Sequence, residues 1–175
     1  MTNRICTVGH SLRDFEEMLA MLENNEITHL VDVRSFPSSR KFSQWNQSAI
    51  IDRLPPDIEY RWIPKLGGRR HTPKGVPSVN GAWRVKALRD YADYMESDEF
   101  TEGLSELLAL AEHGRPAIMC SEAVPWRCHR GLITDALIVA GAEVTDIMSA
   151  TSVKPAVLHK HARVEDGHLT YPAQA

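Results

Sequence analysis

Only three cysteines occur among the 175 residues. So small and odd a number excludes a disulfide framework and is expected of a chain kept in a reducing compartment, here the cytoplasm. No window of about 18 residues is apolar and free of charge, so no transmembrane helix is expected. The opening residues, Met-Thr-Asn-Arg-Ile-Cys-Thr-Val-Gly-His, lack the apolar stretch of a secretory signal. Internal repeats, low-complexity tracts and obvious linkers are missing too. The apolar share of 43% and charged share of 25% are ordinary, which excludes a disordered chain, a collagen-like repeat and a coiled coil. A chain of this length is about one domain, here residues 1–175. It is long enough to bury a core without covalent staples.

Strong net charge is also lacking, the formal value being −3. The distribution is nevertheless uneven. Residues 34–74 hold nine Lys/Arg and three acids, a local +6 that leaves −9 for the rest. A basic stretch in an acidic chain reads either as a solvated face or as a localised anion-binding surface. Its position relative to the other motifs decides between them.

Apolar and breaker patterns predict alternating elements. Strands are expected over residues 4–8, 29–33, 57–63, 116–120 and 143–148, with an edge piece over 168–171 after the turn Glu165-Asp166-Gly167. The strand at 116–120 is nearly all apolar, as a strand buried on both faces is. The first helix shows Phe15, Met18, Leu19 and Leu22 at helical spacing, with Ser11 as its cap and Asp14 completing a short capping box. Further helices are expected over 43–54, 82–96, 99–113 and 127–140. Residues 71–80 read as a loop or flap. Strands alternating with helices imply an α/β fold: a mostly parallel sheet of about five strands, three layers, with an inserted helical pair over 81–113.

In such a sheet ligands bind outside the carboxyl ends of the strands. Those ends carry nearly every chemically capable group outside the acidic helices. They are Gly9-His10-Ser11, then Arg34-Ser35 with Arg40, then Gly67-Gly68-Arg69-Arg70, and then Cys120-Ser121-Glu122 with Trp126-Arg127-Cys128-His129-Arg130. This convergence favours site lining over a solvated basic face.

Cys120 at a strand end and Arg127 at a helix start have the general layout of a thiolate site that holds an oxyanion. The spacing is one residue longer than in a phosphatase-type loop, and the segment has Pro125 and no glycine, which argues against that reading. Cys128, placed in the first helical turn beside Arg127, His129 and Arg130, is the second thiol; the plain alternative for either is packing as a small hydrophobe. Cys6 reads as core. Cys120, Cys128, His129 and His10 could supply metal ligands, but Cys-x7-Cys-His lacks tight zinc spacing, so no metal and no cofactor are expected. Glu122 is a general base or an ion-pair partner of Arg34 or Arg130. Asp32 is expected to pair with Arg130 or a helix N-terminus. Gly67-Gly68 would let backbone approach a ligand, and Trp62 and Trp126 either stack on a ligand or pack as core.

Four ordered motifs carry a resemblance. Thr7-Val8-Gly9-His10-Ser11, Asp32-Val33-Arg34-Ser35-Phe36-Pro37-Ser38-Ser39-Arg40, Leu66-Gly67-Gly68-Arg69-Arg70 and Met119-Cys120-Ser121-Glu122-x-x-Pro125-x-x-Cys128-His129-Arg130 resemble the DUF488 family of bacterial and archaeal proteins, over roughly residues 4–172. The resemblance implies a small soluble α/β protein with a Cys/His/Arg-rich pocket and no agreed substrate.

The expectation is therefore a pocket for a phosphate-bearing or otherwise anionic ligand, a nucleotide or a nucleic-acid end. Arg34, Arg40, Arg69, Arg70, Arg130 and Ser11 would hold the anion, and Cys128, His10 and Glu122 are the reactive candidates. A non-catalytic nucleic-acid-binding module and a thiol redox protein using Cys120 and Cys128 are the alternatives. No membrane partner is expected.

Overall fold

A computed structural model describes residues 3–174. Five parallel strands and one antiparallel edge strand form a sheet in the order β3-β2-β4-β1-β5-β6. They are β1 (Arg4–Gly9), β2 (His29–Asp32), β3 (Glu59–Trp62), β4 (Pro116–Cys120), β5 (Glu143–Ile147) and β6 (Val153–Pro155). Helices α1 (Phe15–Asn24) and α2 (Gln47–Arg53) follow β1 and β2; α3 (Lys86–Tyr94) and α4 (Asp98–His113) are the inserted pair, and α5 (Arg130–Val139) follows β4. The α/β class and three-layer arrangement agree with the sequence pattern.

The period-2 alternation of the strands divides the interior into two cores. Cys6 and Val8 of β1, Leu30 of β2 and Ala117 and Met119 of β4 face Phe15, Met18, Met21 and Leu22 of α1 and Ile50 of α2. The alternate residues Ile5, Val31, Ile118 and Cys120 face Tyr91 of α3, Phe100 and Leu107 of α4, and Leu132, Ile133 and Leu137 of α5. Every residue of β4 is buried, as its unbroken apolar run requires.

Several local expectations are corrected. The cap of α1 is Asp14, whose carboxylate accepts from the Glu17 N–H at 2.8 Å. Ser11 instead sits in a turn with φ +43°. The helix expected from residue 43 is a 3₁₀ turn, Ser43–Trp45, followed by α2. Likewise Pro125–Arg127 is a 3₁₀ turn, and Cys128 after it is extended (φ −140°, ψ 154°), so α5 begins only at Arg130. Pro125 stands at the start of that turn, where its fixed φ suits helical geometry. Two strands went unanticipated. One is β6; the other is β7 (Arg163–Glu165), which pairs with β8 (His168–Thr170) across Asp166-Gly167. Both turn residues have positive φ, at +51° and +77°, the signature of a two-residue hairpin turn.

Parallel register aligns the carboxyl edge of the sheet: Gly9 lies opposite Cys120, and Asp32 opposite Met119. The loop after β4 then folds back over the end of β1. A Cβ on Gly9 would land on the Glu122 carbonyl and within 2.9 Å of the Ala123 Cα. Gly9→Ala should therefore destabilise the protein by about 1–3 kcal/mol through overpacking. Urea denaturation should read this as a lower midpoint at unchanged slope.

Candidate functional site

A cavity of about 700 Å³ opens at this edge. Its lining comes from four chain-distant segments: the turn after β1, the loop between β2 and α2, the glycine-rich stretch after β3, and the loop between β4 and α5. The start of α3 adds Ala87 and Leu88.

The floor is built on a buried ion pair. Asp32 ends β2 fully buried, and Arg34 two residues on is 8% exposed. The Arg34 guanidinium donates to the Asp32 carboxylate through Nε (2.9 Å) and Nη2 (2.7 Å), and Nη2 also reaches the Trp45 carbonyl. Tyr60 adds a fourth constraint, its hydroxyl donating to Asp32 Oδ2 at 2.6 Å. The partner of Asp32 is thus Arg34, not Arg130, because the two share a strand face. Arg34 keeps one nitrogen, Nη1, turned to His10 Nε2 at 3.5 Å.

His10 is 2% exposed and stacks on Trp45, with centroids 5.2 Å apart and planes at 16°. Its Nδ1 lies 3.1 Å from the Ser11 carbonyl, which fixes Nδ1 as the donor and leaves Nε2 as an acceptor. Burial first, with the nearby Arg34 charge, lowers its pKa to about 4 against the opposing Ser11 contact. The ring is neutral at physiological pH.

The opposite wall carries sulfur. Cys128 is extended and precedes α5, and its Sγ lies 3.2 Å from Nδ1 of the adjacent His129 ring. His129 Nε2 lies 2.6 Å from the Val33 carbonyl, so Nε2 carries the proton and Nδ1 presents a lone pair to the thiol. Burial lowers the His129 pKa to about 4. Gly68 makes room for this ring, since a Cβ there would come within 2.5 Å of Nδ1. The glycine pair thus accommodates the protein's own side chains. Cys120 and Cys128 both line the cavity, and both are free. The neighbouring Cys120 and burial push the Cys128 thiol well up. For Cys120, burial is outweighed by the neighbouring Cys128 and the Arg130 charge, and its pKa falls below the ordinary thiol value. The pair accommodates one negative charge far more readily than two.

Five of the expected site residues line the cavity: His10, Arg34, Arg69, Glu122 and Cys128. Four do not. Ser11 holds the turn, its N–H donating to the Ser121 carbonyl. Arg40 is exposed outside the lining. Arg70 binds the Gly67 and Pro64 carbonyls and lies 3.7 Å over the Tyr94 ring. Arg130 is 1% exposed and donates to the Glu122 and Ala123 carbonyls. Glu122 itself is exposed and pairs with neither Arg34 nor Arg130 among the described residues. Sequence reasoning left Lys41, Phe36 and Phe42 out of the site and gave His129 no role beyond a rejected metal ligand, yet all four line the cavity. The available signal was the Cys128-His129 pair, obscured by placing both in a helix. Trp62 is structural, its Nε1 donating to the Arg34 carbonyl. Trp126 is 58% exposed and borders a separate hollow of about 140 Å³. Among the described residues no three His, Cys, Asp or Glu side chains are grouped to hold a metal ion, and no helix is long and apolar enough to cross a membrane.

Charge in the cavity is layered. Its depth holds two neutral imidazoles, a compensated Arg34 and two thiols. The mouth holds exposed Lys41, Arg69 and Arg127 against the single carboxylate of Glu122.

Two predictions follow from this arrangement. Asp32→Ala strands the Arg34 charge in the interior and should cost about 3–5 kcal/mol by chemical denaturation, whereas Asp32→Ala with Arg34→Met should recover most of that loss. The pH dependence has a fixed sign. Both histidines are held below their unfolded value of 6.5. The unfolded chain therefore binds more protons, and stability present above pH 6.5 is lost as pH falls toward about 4, on the order of 3 kcal/mol per ring. Burial raises Asp135 from 3.8 to about 6. Its contribution has the opposite sign, present below 3.8 and lost as pH rises through 6, so it offsets part of the histidine slope. His129→Gln should flatten the net slope between pH 6.5 and 4 in urea midpoints taken across that range.

A family model described as "Domain of unknown function DUF488" matches residues 14–137, a shorter span than the residues 4–172 over which the resemblance runs. No curated protein and no solved structure matches the chain.

Proposed function

The chain belongs to the DUF488 family, whose description assigns no activity, and we propose from the geometry that the cavity binds a phosphate-bearing or otherwise anionic ligand, a nucleotide or a nucleic-acid end, with Cys128 as its reactive group. The observation that carries this reading is the meeting of His10, Arg34, Arg69, Glu122 and Cys128 around one cavity although they are scattered over residues 10–128. The cationic mouth attracts the anion. Guanidinium forks suit phosphate oxygens, and Arg69 has its side chain at the opening. Lys41 and Arg127 add field at the same entrance.

The thiol has an acceptor in place, since the lone pair of His129 Nδ1 faces Cys128 Sγ. A neutral imidazole with its tautomer fixed by a backbone carbonyl is the usual partner of an activated nucleophile. The neighbouring Cys120 and burial outweigh the opposing pull of the Arg130 charge, so the thiol rests protonated with the imidazole as the acceptor for its proton. His10 and Arg34 Nη1 offer an acceptor and a donor on the opposite side. Glu122 at the mouth is the remaining acid–base group.

Calorimetric titration with nucleoside monophosphates, inorganic phosphate and sulfate tests the reading. Binding that weakens steeply with salt is expected, and Arg69→Ala should weaken it on the order of tenfold. Cys128→Ser should keep binding and lose any turnover. Lack of salt-dependent binding to all of these anions would sink the proposal. Equal binding with turnover undiminished by Cys128→Ser would remove the thiol from it.

A further inference from the structure

We infer that the cavity receives one unpaired nucleotide of a single-stranded nucleic acid, base inward and phosphates outward, with a neighbouring base stacked on Phe36. This rests on the anion-binding reading above and names its substrate class.

The layering of charge sets the orientation. A phosphate driven to the floor would lose its hydration to meet only neutral rings, thiols and an arginine already matched by Asp32. Burying a charge without a counter-charge is costly. An uncharged heterocycle meets no such cost there. The floor also has the polarity a base edge needs, because Arg34 Nη1 donates and His10 Nε2 accepts, and their mutual contact of 3.5 Å is long enough for either to turn to a ligand. At about 700 Å³ the cavity falls within the range of small-molecule sites, roughly 300–1,000 Å³.

The mouth extends the argument from a mononucleotide to a strand. Lys41, Arg69 and Arg127 stand on three different loops around the opening. A monophosphate brings its charge to one point, whereas a strand brings successive phosphates past all three. Two of these cations lie over aromatic rings, Arg69 5.1 Å from the centroid of Phe36 and Lys41 5.5 Å from that of Phe42. Phe36 is 63% exposed, although burying it would be favourable. An exposed ring beside a guanidinium at a basic entrance is the composition of a sequence-tolerant stacking platform for single strands. A paired base cannot enter a blind cavity without leaving its helix, which penalises duplexes.

Fluorescence anisotropy and calorimetry at fixed low salt test this with thymidine monophosphate, oligothymidylate, oligouridylate and a duplex of the same length. A single strand should bind at least about tenfold more tightly than either the monophosphate or the duplex, and the stronger of the DNA and RNA arms identifies the sugar. Phe36→Ala should weaken the single strand about 5- to 100-fold, the effect of losing one base–aromatic stack, and more than it weakens the monophosphate. Trp126→Ala, outside the cavity lining, should leave single-strand affinity unchanged. Equal affinity for strand and monophosphate overturns the inference while the anion pocket stands. Equal affinity for duplex, or equal losses from Phe36→Ala and Trp126→Ala, overturns it as well. Binding of none of the four overturns both this inference and the pocket reading.

Discussion

Neighbouring parallel strands whose connections leave to opposite faces of a sheet must open a crevice between them, and the site depends on this constraint. β1 and β4 are paired, yet α1 packs on one face and α5 on the other. β2 pairs with β4 on its other edge and sends the chain to the α1 face. The loops after β1 and β2 leave to one face and the loop after β4, which crosses the end of β1, to the other, so all three meet around the end of β4, where Cys120 stands. Chain-distant groups meet there because right-handed crossovers bring each parallel strand back in the same direction.

Into this crevice the protein builds a floor that is polar but uncharged in sum. Asp32 accepts from Arg34 and Tyr60 and so keeps a guanidinium rigid without leaving it free for an anion. Arg130 and Arg70 are likewise engaged with backbone carbonyls. Arginine-rich sequence at a sheet edge thus serves two ends. Some forks hold loops in shape, and others stay in water at the entrance. Buried Arg130 and half-buried Arg70, bonded to carbonyls, fix the positions of Glu122, Ala123 and Gly67, which in turn frame the opening.

Much of the architecture was legible from pattern. The five parallel strands, the inserted helices and the loop over residues 71–80 follow from apolar periodicity and from Pro and Gly punctuation. The short strands β6 and β7 were not, because all their residues are exposed, the single valine of each included, and without a buried face there is no alternation to read. At the site, position along the chain was legible and pairing was not. Arg34 and Arg130 look alike as letters, and only packing decides which one meets Asp32. The Cys128–His129 contact was hidden for a torsional reason. Both residues read as part of α5, whereas Cys128 is extended and the helix begins only after His129.

The family match spans residues 14–137, but one of the two central strands of the sheet lies outside it. β1 precedes the match, and β5, which covers the other edge of β1, follows it. Beyond both, Tyr171 is buried, its hydroxyl donating to Asp135 on α5 and its backbone bonded to Asn80 and Ala82. The recurring pattern is therefore a recognition signature and not a unit of folding. A fragment trimmed to its limits would lose the strand that carries the imidazole of residue 10 and leave a bare sheet edge. The catalytically suggestive segment and the scaffold that shapes it are supplied by different stretches of one chain.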